Sequence, residues 1–255
     1  MNLEIKNLLE KSQLTSKMVD LNNIKIENLE DIYEDYIKYR ESYENQAEFI
    51  ASILRSNSKV HSVKSRIKKS DRLIDKIIRK TSERKEKYGK DFAFTVDNYK
   101  NEINDLIGIR VIHILKCEWE EIHKFINETW NVIEITANVR EGDNTTTFKE
   151  LGIEVRSRPS GYRSVHYLVE FFPTSQRVIA EIQVRTIFEE GYGEIDHRLR
   201  YSHDEIPEIL KSNLLLFNRI IGSSDEMASL INTLNCELLK KENEIEKLKG
   251  LLKNN

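Results

Sequence analysis

Cysteine is almost absent from the chain, and the two that occur, Cys117 and Cys236, lie far apart in sequence. Neither has the spacing to another cysteine that a zinc site requires. We therefore expect no disulfide and no structural zinc, and we predict a reducing, cytoplasmic setting. No apolar run approaches the roughly 18 residues of a membrane-spanning helix. The first residues also lack the basic start and long apolar stretch of a secretory signal.

A large excess of either charge is also missing. The 255 residues include 40 Lys and Arg against 43 Asp and Glu, a formal net charge of −3, so the total charge does not indicate nucleic-acid binding. Charged residues make up 33% of the chain and apolar residues 39%, as in helix-rich proteins with wide solvated faces. A chain of this length can bury about 70–75% of its unfolded surface, which is enough for a full core.

Apolar periodicity divides the chain into helices and strands. Helical spacing predicts amphipathic helices over 29–54, 58–87 and 118–130. Apolar, β-branched runs predict strands over 105–115, 131–141, 153–158, 162–172 and 177–186. Because these elements interleave, we expect an α+β fold with a mixed sheet of about five strands flanked by helices. The predicted domains are an N-terminal helical region (1–57), a central domain (58–203) and a C-terminal helical extension (204–255).

The C-terminal extension carries a heptad repeat. Its members follow at steps of four and three: Met227, Ile231, Leu234, Leu238, Lys241, Ile245, Leu248 and Leu252. Only Lys241 interrupts the apolar seam. We expect Pro207 to start one helix, and Ser223 with Glu226 to form a capping box at the start of the last one. The repeat fits two hypotheses, a helix packed on its own domain or a coiled coil with a second copy or a partner.

Two acidic residues stand where a carboxylate needs a partner. Asp105 comes just before a predicted central strand, and Glu181 lies inside another, with Gln183 and Arg185 on the same face. A carboxylate inside an apolar strand is costly unless it is paired or binds a cation. One hypothesis is a structural salt bridge from Glu181 to Arg110 or Arg185. The other is that Asp105 and Glu181 together hold Mg²⁺, with phosphate groups as further ligands.

Basic residues recur along the predicted helix 58–87. They are Arg66, Lys68, Arg72, Lys76 and Arg79, most of them on one side. Such a run is usually a solvated face. Lys and Arg in this arrangement also bind triphosphates, Arg through its planar fork and Lys as a point charge. The run is therefore a candidate phosphate-binding surface.

The segment SGYRSVHY, residues 160–167, is chemically rich for its length. Gly161 permits backbone conformations that other residues resist. If a strand begins at Tyr162, then Tyr162, Ser164 and His166 share one face, with Arg158 nearby. A tyrosine ring on such a face could stack a purine base, or it could be a core tyrosine with a bonded hydroxyl.

Five segments together resemble the synthetase domain of the RelA/SpoT family, whose members make (p)ppGpp. In chain order they are SRIKKSDRLIDK, DLIGIR, RPSGYRSVHY, EIQVRT and GEIDHRLRY. They look like the family's Arg-x-Lys segment, its Asp-x-x-Gly-x-Arg strand, its Gly-Tyr-x-Ser-x-His segment, its Glu-Ile-Gln-x-Arg-Thr strand and the helix that closes the site. The match runs from about Lys64 to Tyr201, and five segments in order are specific where one alone would be weak.

The resemblance implies roles on the ATP side and at the reacting centre. ATP would be bound by Arg66, Lys68, Arg72, Lys76 and Arg110, with Arg66 near the adenine and the lysines on phosphates. Asp105 and Glu181 would hold Mg²⁺. Glu181 could instead activate the acceptor's 3′-hydroxyl, and Gln183 would help to position it. Arg72 stands where many family members have Ser.

The resemblance also implies an acceptor site. The acceptor nucleotide would be bound by Arg158, Tyr162, Ser164, His166, Glu190 and His197. Tyr162 would stack the guanine of GDP or GTP, while His166 and Arg158 would contact phosphates. The acceptor 3′-oxygen would attack the β-phosphorus of ATP and AMP would leave, a reaction that needs positioning and charge neutralisation. Many members have Asn near Glu190, on the helix after the Glu-Ile-Gln strand, and that Asn helps to read guanine, so base selectivity stays open.

Two other functions fit the same residues. A toxin-like relative would transfer pyrophosphate to the 3′ end of tRNA, and an extended basic surface would bind the phosphate backbone. That surface would include Arg72, Arg79, Lys80, Arg84, Lys85 and Lys87. An inactive nucleotide-sensing module would signal through the coiled coil, but the retained Asp105 and Glu181 argue against it. With no hydrolase segment before it, the chain looks like a small, synthetase-only member of the family.

Overall fold

A computed structural model of the chain describes residues 5–6, 13–173, 177–202 and 206–253. The helices are α1 (Gln13–Leu21), α2 (Ile26–Lys38), α3 (Arg40–Arg55), α4 (Ser70–Tyr88), α5 (Tyr99–Glu102), α6 (Trp119–Thr129), α7 (Thr146–Glu150), α8 (Ile187–Ser202) and α9 (Glu208–Lys253). The strands are β1 (Ser62–Ile67), β2 (Ile107–His113), β3 (Asn131–Val139), β4 (Glu154–Ser157), β5 (Ser164–Phe171) and β6 (Val178–Thr186).

The strands form one mixed sheet in the order β1-β2-β6-β5-β3-β4. Strands β2 and β6 run parallel, as do β3 and β4, while the other neighbours are antiparallel. The predicted α+β class with a mixed sheet and flanking helices is therefore confirmed. The sheet has six strands, one more than the sequence pattern predicted.

The additional strand is β1, which the sequence analysis placed inside a helix. Val63 and Ile67 are partly buried, while Lys64 and Arg66 between them are exposed. This alternation has the period of two that is typical of a strand. The helix that follows, α4, begins only at Ser70. Arg66 therefore lies on a strand, whereas Arg72, Lys76 and Arg79 lie on the helix.

The two faces of the sheet differ sharply in chemistry. On the reverse face, apolar side chains such as Ile109, Tyr167 and Ile182 are fully buried. Helix α3 packs on β1 and β2, and α6 packs on β3. The front face carries polar and charged residues of β1, β2, β5 and β6. They are Lys64, Arg66, Arg110, His166, Glu181, Gln183 and Arg185, which the strand registers place side by side.

Two helix predictions need correction. The predicted helix 29–54 is two helices, α2 and α3, which meet at Tyr39, whose φ and ψ of −98° and 5° interrupt the helical path. The capping box at Ser223 and Glu226 does not form, because α9 runs unbroken from Glu208 through both residues. Capping needs a free helix end, and this position is in the helix interior. Pro207 does precede the helix start, as predicted.

Helix α9 has a packed half and an exposed half. Leu214, Asn218 and Asp225 are buried where it packs on α8, and from Glu226 onward the described side chains are exposed or half-buried. The predicted domain boundary at 203–204 lies outside the described residues, and the boundary at 57–58 falls between α3 and β1. Among the described helices, none is long and apolar enough to cross a membrane.

Candidate active site

Asp105 lies at the start of β2, between two lysines. Lys68 Nζ is 2.6 Å from Asp105 Oδ2 and Lys76 Nζ is 2.8 Å from the same oxygen. Lys68 comes from the turn after β1 and Lys76 from the second turn of α4. Burial raises the pKa of Asp105, but the charges of Lys76 and Lys68 outweigh it and hold the pKa of that carboxyl below its ordinary value. The predicted metal ligand and two predicted phosphate ligands thus form one ion cluster.

Glu181 belongs to a closed ring of hydrogen bonds on the front face. Gln183 Nε2 donates to Glu181 Oε2 at 2.6 Å, and His166 Nδ1 is 3.2 Å from Glu181 Oε1. The Tyr162 hydroxyl is 3.0 Å from His166 Nε2. Arg185 Nη2 closes the ring by donating to Tyr162 Oη at 2.5 Å and to Gln183 Oε1 at 2.7 Å.

The charged members of the ring fix several of its directions. The Arg185 guanidinium can only donate, so Tyr162 Oη and Gln183 Oε1 accept from it. The Glu181 carboxylate accepts from Gln183 Nε2 and from His166 Nδ1. Burial raises the pKa of Glu181, but the bonds from His166 and Gln183 outweigh it, and the pKa of the carboxyl lies below its ordinary value. Glu181 is therefore an ionised acceptor facing the front of the sheet.

These contacts bear on the first of the two hypotheses for Glu181, a structural salt bridge to Arg110 or Arg185. No salt bridge joins it to Arg110 or Arg185 among the described residues. Both arginines bind Glu190 instead: Arg185 Nη1 lies 2.9 Å from its Oε2 and Arg110 Nη1 lies 3.1 Å from its Oε1. Arg110 also pairs with Glu194. With Lys64 Nζ a further 3.8 Å from its Oε1, the predicted acceptor residue Glu190 is buried and engaged by three cations in this structure.

The ring of Tyr162 is partly exposed and already carries a cation on one side. The guanidinium carbon of Arg185 lies 4.9 Å from its ring centroid, a cation–π contact. Burial raises the pKa of the Tyr162 hydroxyl, although Arg185 opposes this. The strand begins at Ser164 rather than at Tyr162, so the ring projects from the end of a loop. Sequence reasoning assigned Arg185 no role in binding, although its position two residues after Gln183 placed it on the same face.

The C-terminal helices hold the loop that carries Tyr162. Gly161 has φ 74°, a left-handed conformation that favours glycine. Its carbonyl accepts a 2.8 Å bond from Asn218 of α9. A Cβ at Gly161 would lie 2.7 Å from the Asn218 side chain, so the close packing also requires glycine. The Tyr192 hydroxyl of α8 donates to the Ser160 carbonyl.

Four predicted site residues lie apart from the hydrogen-bond ring of Glu181 and from the ion cluster of Asp105. Arg72 is exposed on α4 beside Asp71. Arg158 is exposed and donates to Asn138 Oδ1 at 2.6 Å. His197 is exposed on α8, where its charge acts on Glu194.

The fourth is Ser164. It is buried, and its hydroxyl donates to the Val184 carbonyl, so it joins β5 to β6. The side chain of Arg66 lies across β2 at Gly108, which has no side chain to block it. A Cβ at Gly108 would be 3.2 Å from Arg66 Nε.

The donor set suits a metal ion only if substrate supplies part of the coordination. In the described part of the chain, no group of three or more His, Cys, Asp and Glu could hold a metal. Asp105 Oδ1 is buried and has no hydrogen-bond partner, which leaves an oxygen available to a cation. Mg²⁺ commonly takes one or two carboxylates and completes its shell with water and phosphate oxygens. The residues therefore fit Mg²⁺ that arrives with a nucleotide.

Comparison with known proteins gives consistent relatives. A family model described as a region found in RelA and SpoT proteins matches residues 65–206, more than half of the chain. The chain is 25% identical over 169 residues to GTP pyrophosphokinase YwaC of Bacillus subtilis (strain 168), covering 64% of this chain and 69% of that protein.

Solved structures show that the fold is shared. The small alarmone synthetase 1 from Bacillus subtilis superposes with a TM-score of 0.59 at 20% identity, covering 79% of this chain and 96% of that one. The same synthetase bound to its product pppGpp gives 0.57 at 20% identity, covering 78% and 94%. Bound to AMPCPP, it gives 0.56 at 20% identity, covering 79% and 96%.

Proposed function

Because this chain belongs to the RelA/SpoT family, we propose that it transfers the β,γ-pyrophosphate of ATP to the 3′-hydroxyl of GDP or GTP and so makes (p)ppGpp. The observation that carries the proposal is the pairing of two ionised carboxylates on one side of the sheet. Asp105 is held by two lysines that suit a triphosphate, and Glu181 is held by the hydrogen-bond ring that includes the half-buried Tyr162. Relatives named as a pyrophosphokinase and an alarmone synthetase support it.

On the donor side, Arg66, Lys68 and Lys76 would bind ATP. The two lysines now share Asp105 as their anion, so phosphate oxygens would replace that carboxylate as their partner when ATP binds. Arg110 would stay linked to Glu190 while facing the same groove. Arg72, which is exposed, would meet only the outer part of the nucleotide.

On the acceptor side, Tyr162 would stack the base, while His166 and Arg158 would meet phosphates. Glu181 would orient the 3′-hydroxyl and take its proton as the 3′-oxygen bonds to the β-phosphorus of ATP. The bond between that phosphorus and the bridging oxygen to the α-phosphate breaks, and AMP leaves with the electron pair. Gln183 would keep Glu181 in place through its 2.6 Å bond. Glu190 would act through Arg185 and Arg110 rather than by reading the base directly.

Enzymes of this family need a divalent metal, and Mg²⁺ is the ion that we propose here. Asp105 Oδ1 would be its protein ligand, with Glu181 as a possible second one. When bound, it would neutralise charge on the transferred phosphates. The protein's own contribution is to hold the two carboxylates and the surrounding cations in fixed positions.

The test is incubation of the full chain with γ-labelled ATP and Mg²⁺ against GMP, GDP, GTP, ATP and deacylated tRNA, with the labelled product identified. We expect label in a 3′-pyrophosphorylated guanine nucleotide and equimolar AMP. Label in tRNA would replace the proposal with the tRNA-modifying function. Absence of transfer to every acceptor would favour the inactive sensing module instead.

The described surface of α4 does not favour tRNA. Arg84 is buried, and its Nε lies 2.5 Å from Glu102 Oε2. Arg79 pairs with Asp75, and Lys80 lies 3.7 Å from Glu83. Lys and Arg bind an extended phosphate backbone by displacing its condensed counterions, and these three residues are already paired within the helix or with a neighbour. We therefore propose guanine nucleotides as the acceptor.

We also propose that the exposed half of α9 forms a coiled coil with a second copy of the chain. Ile231, Leu234 and Leu238 are about half exposed on one seam of the heptad. Lys241 at a core position is the kind of polar residue that fixes register and oligomeric state between identical helices. Light scattering should give a mass above one 30.0 kDa chain. Leu234→Glu should return it to one chain, whereas Leu239→Glu, outside the seam, should not.

A further inference from the structure

A cavity of about 430 Å³ lies at the end of the sheet where β2 and β6 finish, mostly against its reverse face. It opens at the ends of β2 and β6, where His113 and Thr186 point to the reverse side, and it is bounded by α6, α7 and α9. None of Asp105, Glu181 and Tyr162 lines it. Its lining also includes the front-face residues Asn138 and Ser164, the second of them a predicted acceptor residue, so the cavity reaches the edge of the front face. Its volume is within the range of small-molecule sites.

One wall of this cavity is aromatic. Trp119 of α6 and Phe148 of α7 meet edge to face, with ring centroids 5.0 Å apart. Val165 and Val184 continue the apolar surface on the sheet. A flat ring is the kind of group that such a wall can cover, since aromatic contacts add to the burial of apolar area.

The other wall is cationic and contains an unsatisfied donor. Arg163 is only 7% exposed, and its Nη2 has no hydrogen-bond partner. The Glu189 carboxylate lies 3.9 Å from Arg163 Nε, beyond hydrogen-bond distance, and burial raises the pKa of Glu189. A buried guanidinium donor without an acceptor is costly. An anionic ligand in the cavity would supply that acceptor.

The remaining charges in the cavity are compensated and oriented. Arg140 is held by Asp143 at 2.9 Å, and Lys116 lies 3.7 Å from Glu226. Helix α9 approaches both arginines through Gly222. A Cβ there would be 3.0 Å from Arg140 Nη1 and 3.3 Å from both Nη atoms of Arg163. The helix therefore brings two guanidinium groups together at one end of the cavity.

We propose that this cavity binds a mononucleotide, with its base against Trp119 and Phe148 and its phosphate on Arg163 and Arg140. A planar guanidinium matches a phosphate through two parallel hydrogen bonds, and a base fits the aromatic wall at the other end. The site is separate from the reacting groups, so it does not depend on the proposed pyrophosphate transfer.

Trp119 provides a direct readout. The chain has two tryptophans, so Trp130→Phe leaves Trp119 as the only one. Tyr162→Ala is added to weaken binding at the front face. We expect AMP and GMP to quench Trp119 emission saturably, at about one nucleotide per chain by equilibrium dialysis. Inorganic phosphate and guanosine should each bind at least tenfold more weakly, because each lacks one half of the recognised chemistry.

Variants of the cavity test the assignment. Arg163→Gln should weaken AMP binding about 10- to 100-fold, the loss of a hydrogen bond to a charged group. Arg140→Gln, at a more exposed residue, provides a second variant should the first fail to fold. Arg156→Gln, on β4 outside the cavity, is the matched control and should bind normally. Equal affinity for phosphate alone, no quenching at millimolar nucleotide, or quenching that survives both cavity variants would overturn the proposal.

Discussion

The two faces of the sheet treat buried carboxylates in opposite ways. On the front face, Asp105 and Glu181 are each surrounded by cations or donors, and both have pKa values below the ordinary range. At the end of the reverse face, Asp225 of α9 is fully buried beside Glu189. It receives one hydrogen bond, from the Thr186 hydroxyl at 3.1 Å, and its other oxygen has no partner. Burial, reinforced by the charge of Glu189, raises the pKa of Asp225 to about 6.

The comparison separates carboxylates whose ionised form the fold stabilises from a carboxyl whose ionisation costs stability near neutral pH. Compensation on the front face comes from side chains that substrate could recruit, such as Lys68 and Lys76. At Asp225 the burial and the charge of Glu189 outweigh Lys116, whose Nζ lies 4.0 Å from Asp225 Oδ2, so the pKa rises. The front face thus stabilises the charge of its carboxylates, and the reverse end does not.

The largest expected effect is on turnover in Glu181→Gln. Glutamine is close in size to glutamate, and its side-chain oxygen can still accept a hydrogen bond from His166, but it cannot take a proton from the acceptor hydroxyl. We expect kcat to fall about 10²- to 10⁴-fold, the range for loss of a general base, with little change in the KM for ATP. Steady-state rates with γ-labelled ATP measure this. Glu134→Gln, at a half-exposed glutamate of β3, should leave the rate unchanged, and an equal loss in both variants would contradict a role for Glu181.

Asp105→Asn should affect both rate and stability. The change leaves Lys68 and Lys76 close together without their shared anion. We expect the free energy of unfolding to fall by about 1.5–3 kcal/mol, as for a lost hydrogen bond to a charged group, and kcat to fall about 10²- to 10³-fold. Urea unfolding at pH 7 gives the first quantity. Asp105→Asn should lower the free energy of unfolding more than Glu181→Gln does. A larger loss in Glu181→Gln would show that Asp105 is not the more strongly stabilised of the two carboxylates.

Local pattern was enough to predict much of the front face. The period of two along β6 placed Glu181, Gln183 and Arg185 on one side, and the structure confirms it. The same pattern did not predict β1, because Lys64 and Arg66 continue the basic run of α4 and a short strand has few residues to show its period. The break at Tyr39 escaped notice because apolar spacing continues across it.

Pairing between distant elements could not be predicted in the same way. The contact of Asp105 with both lysines depends on how α4 docks after β1, and Arg185 could have bonded Glu181 or Glu190 equally well on pattern alone. The role of Asn218 in holding Gly161 joins residues that are 57 positions apart. Such contacts arise from packing, which sequence periodicity does not encode.

Tyr162 tests the base-binding part of the front face with a smaller expected effect. Tyr162→Ala should raise the KM for the acceptor about 5- to 150-fold, the range for loss of a stacked base. Tyr162→Phe keeps the ring but loses the hydroxyl between Arg185 and His166, so the KM should rise less than tenfold. Acceptor titrations at saturating ATP measure both. If Tyr162→Ala lowers the free energy of unfolding but leaves the acceptor KM unchanged, Tyr162 is a core residue and does not bind the base.

Asp225 affects stability rather than turnover, and the pH dependence of its contribution has the opposite sign to that of Asp105 and Glu181. Its pKa is about 6 in the folded state against an ordinary 3.8, so between these values the folded state holds a proton that the unfolded state releases. Its contribution to stability is therefore fully present below pH 3.8 and is lost as pH rises through about 6. The loss corresponds to about 3 kcal/mol at pH 7. Asp105 and Glu181, with lowered pKa values, behave in reverse and lose their contribution as pH falls.

Asp225→Asn has the same shape without the titrating proton. Urea unfolding of wild type and variant between pH 5 and pH 7.5 should show the variant gaining stability relative to wild type as pH rises. Asp91→Asn, at an exposed residue, serves as the control and should follow wild type throughout. A constant difference between Asp225→Asn and wild type across this range would mean that Asp225 stays ionised, and that both faces of the sheet hold their buried carboxylates in the same state.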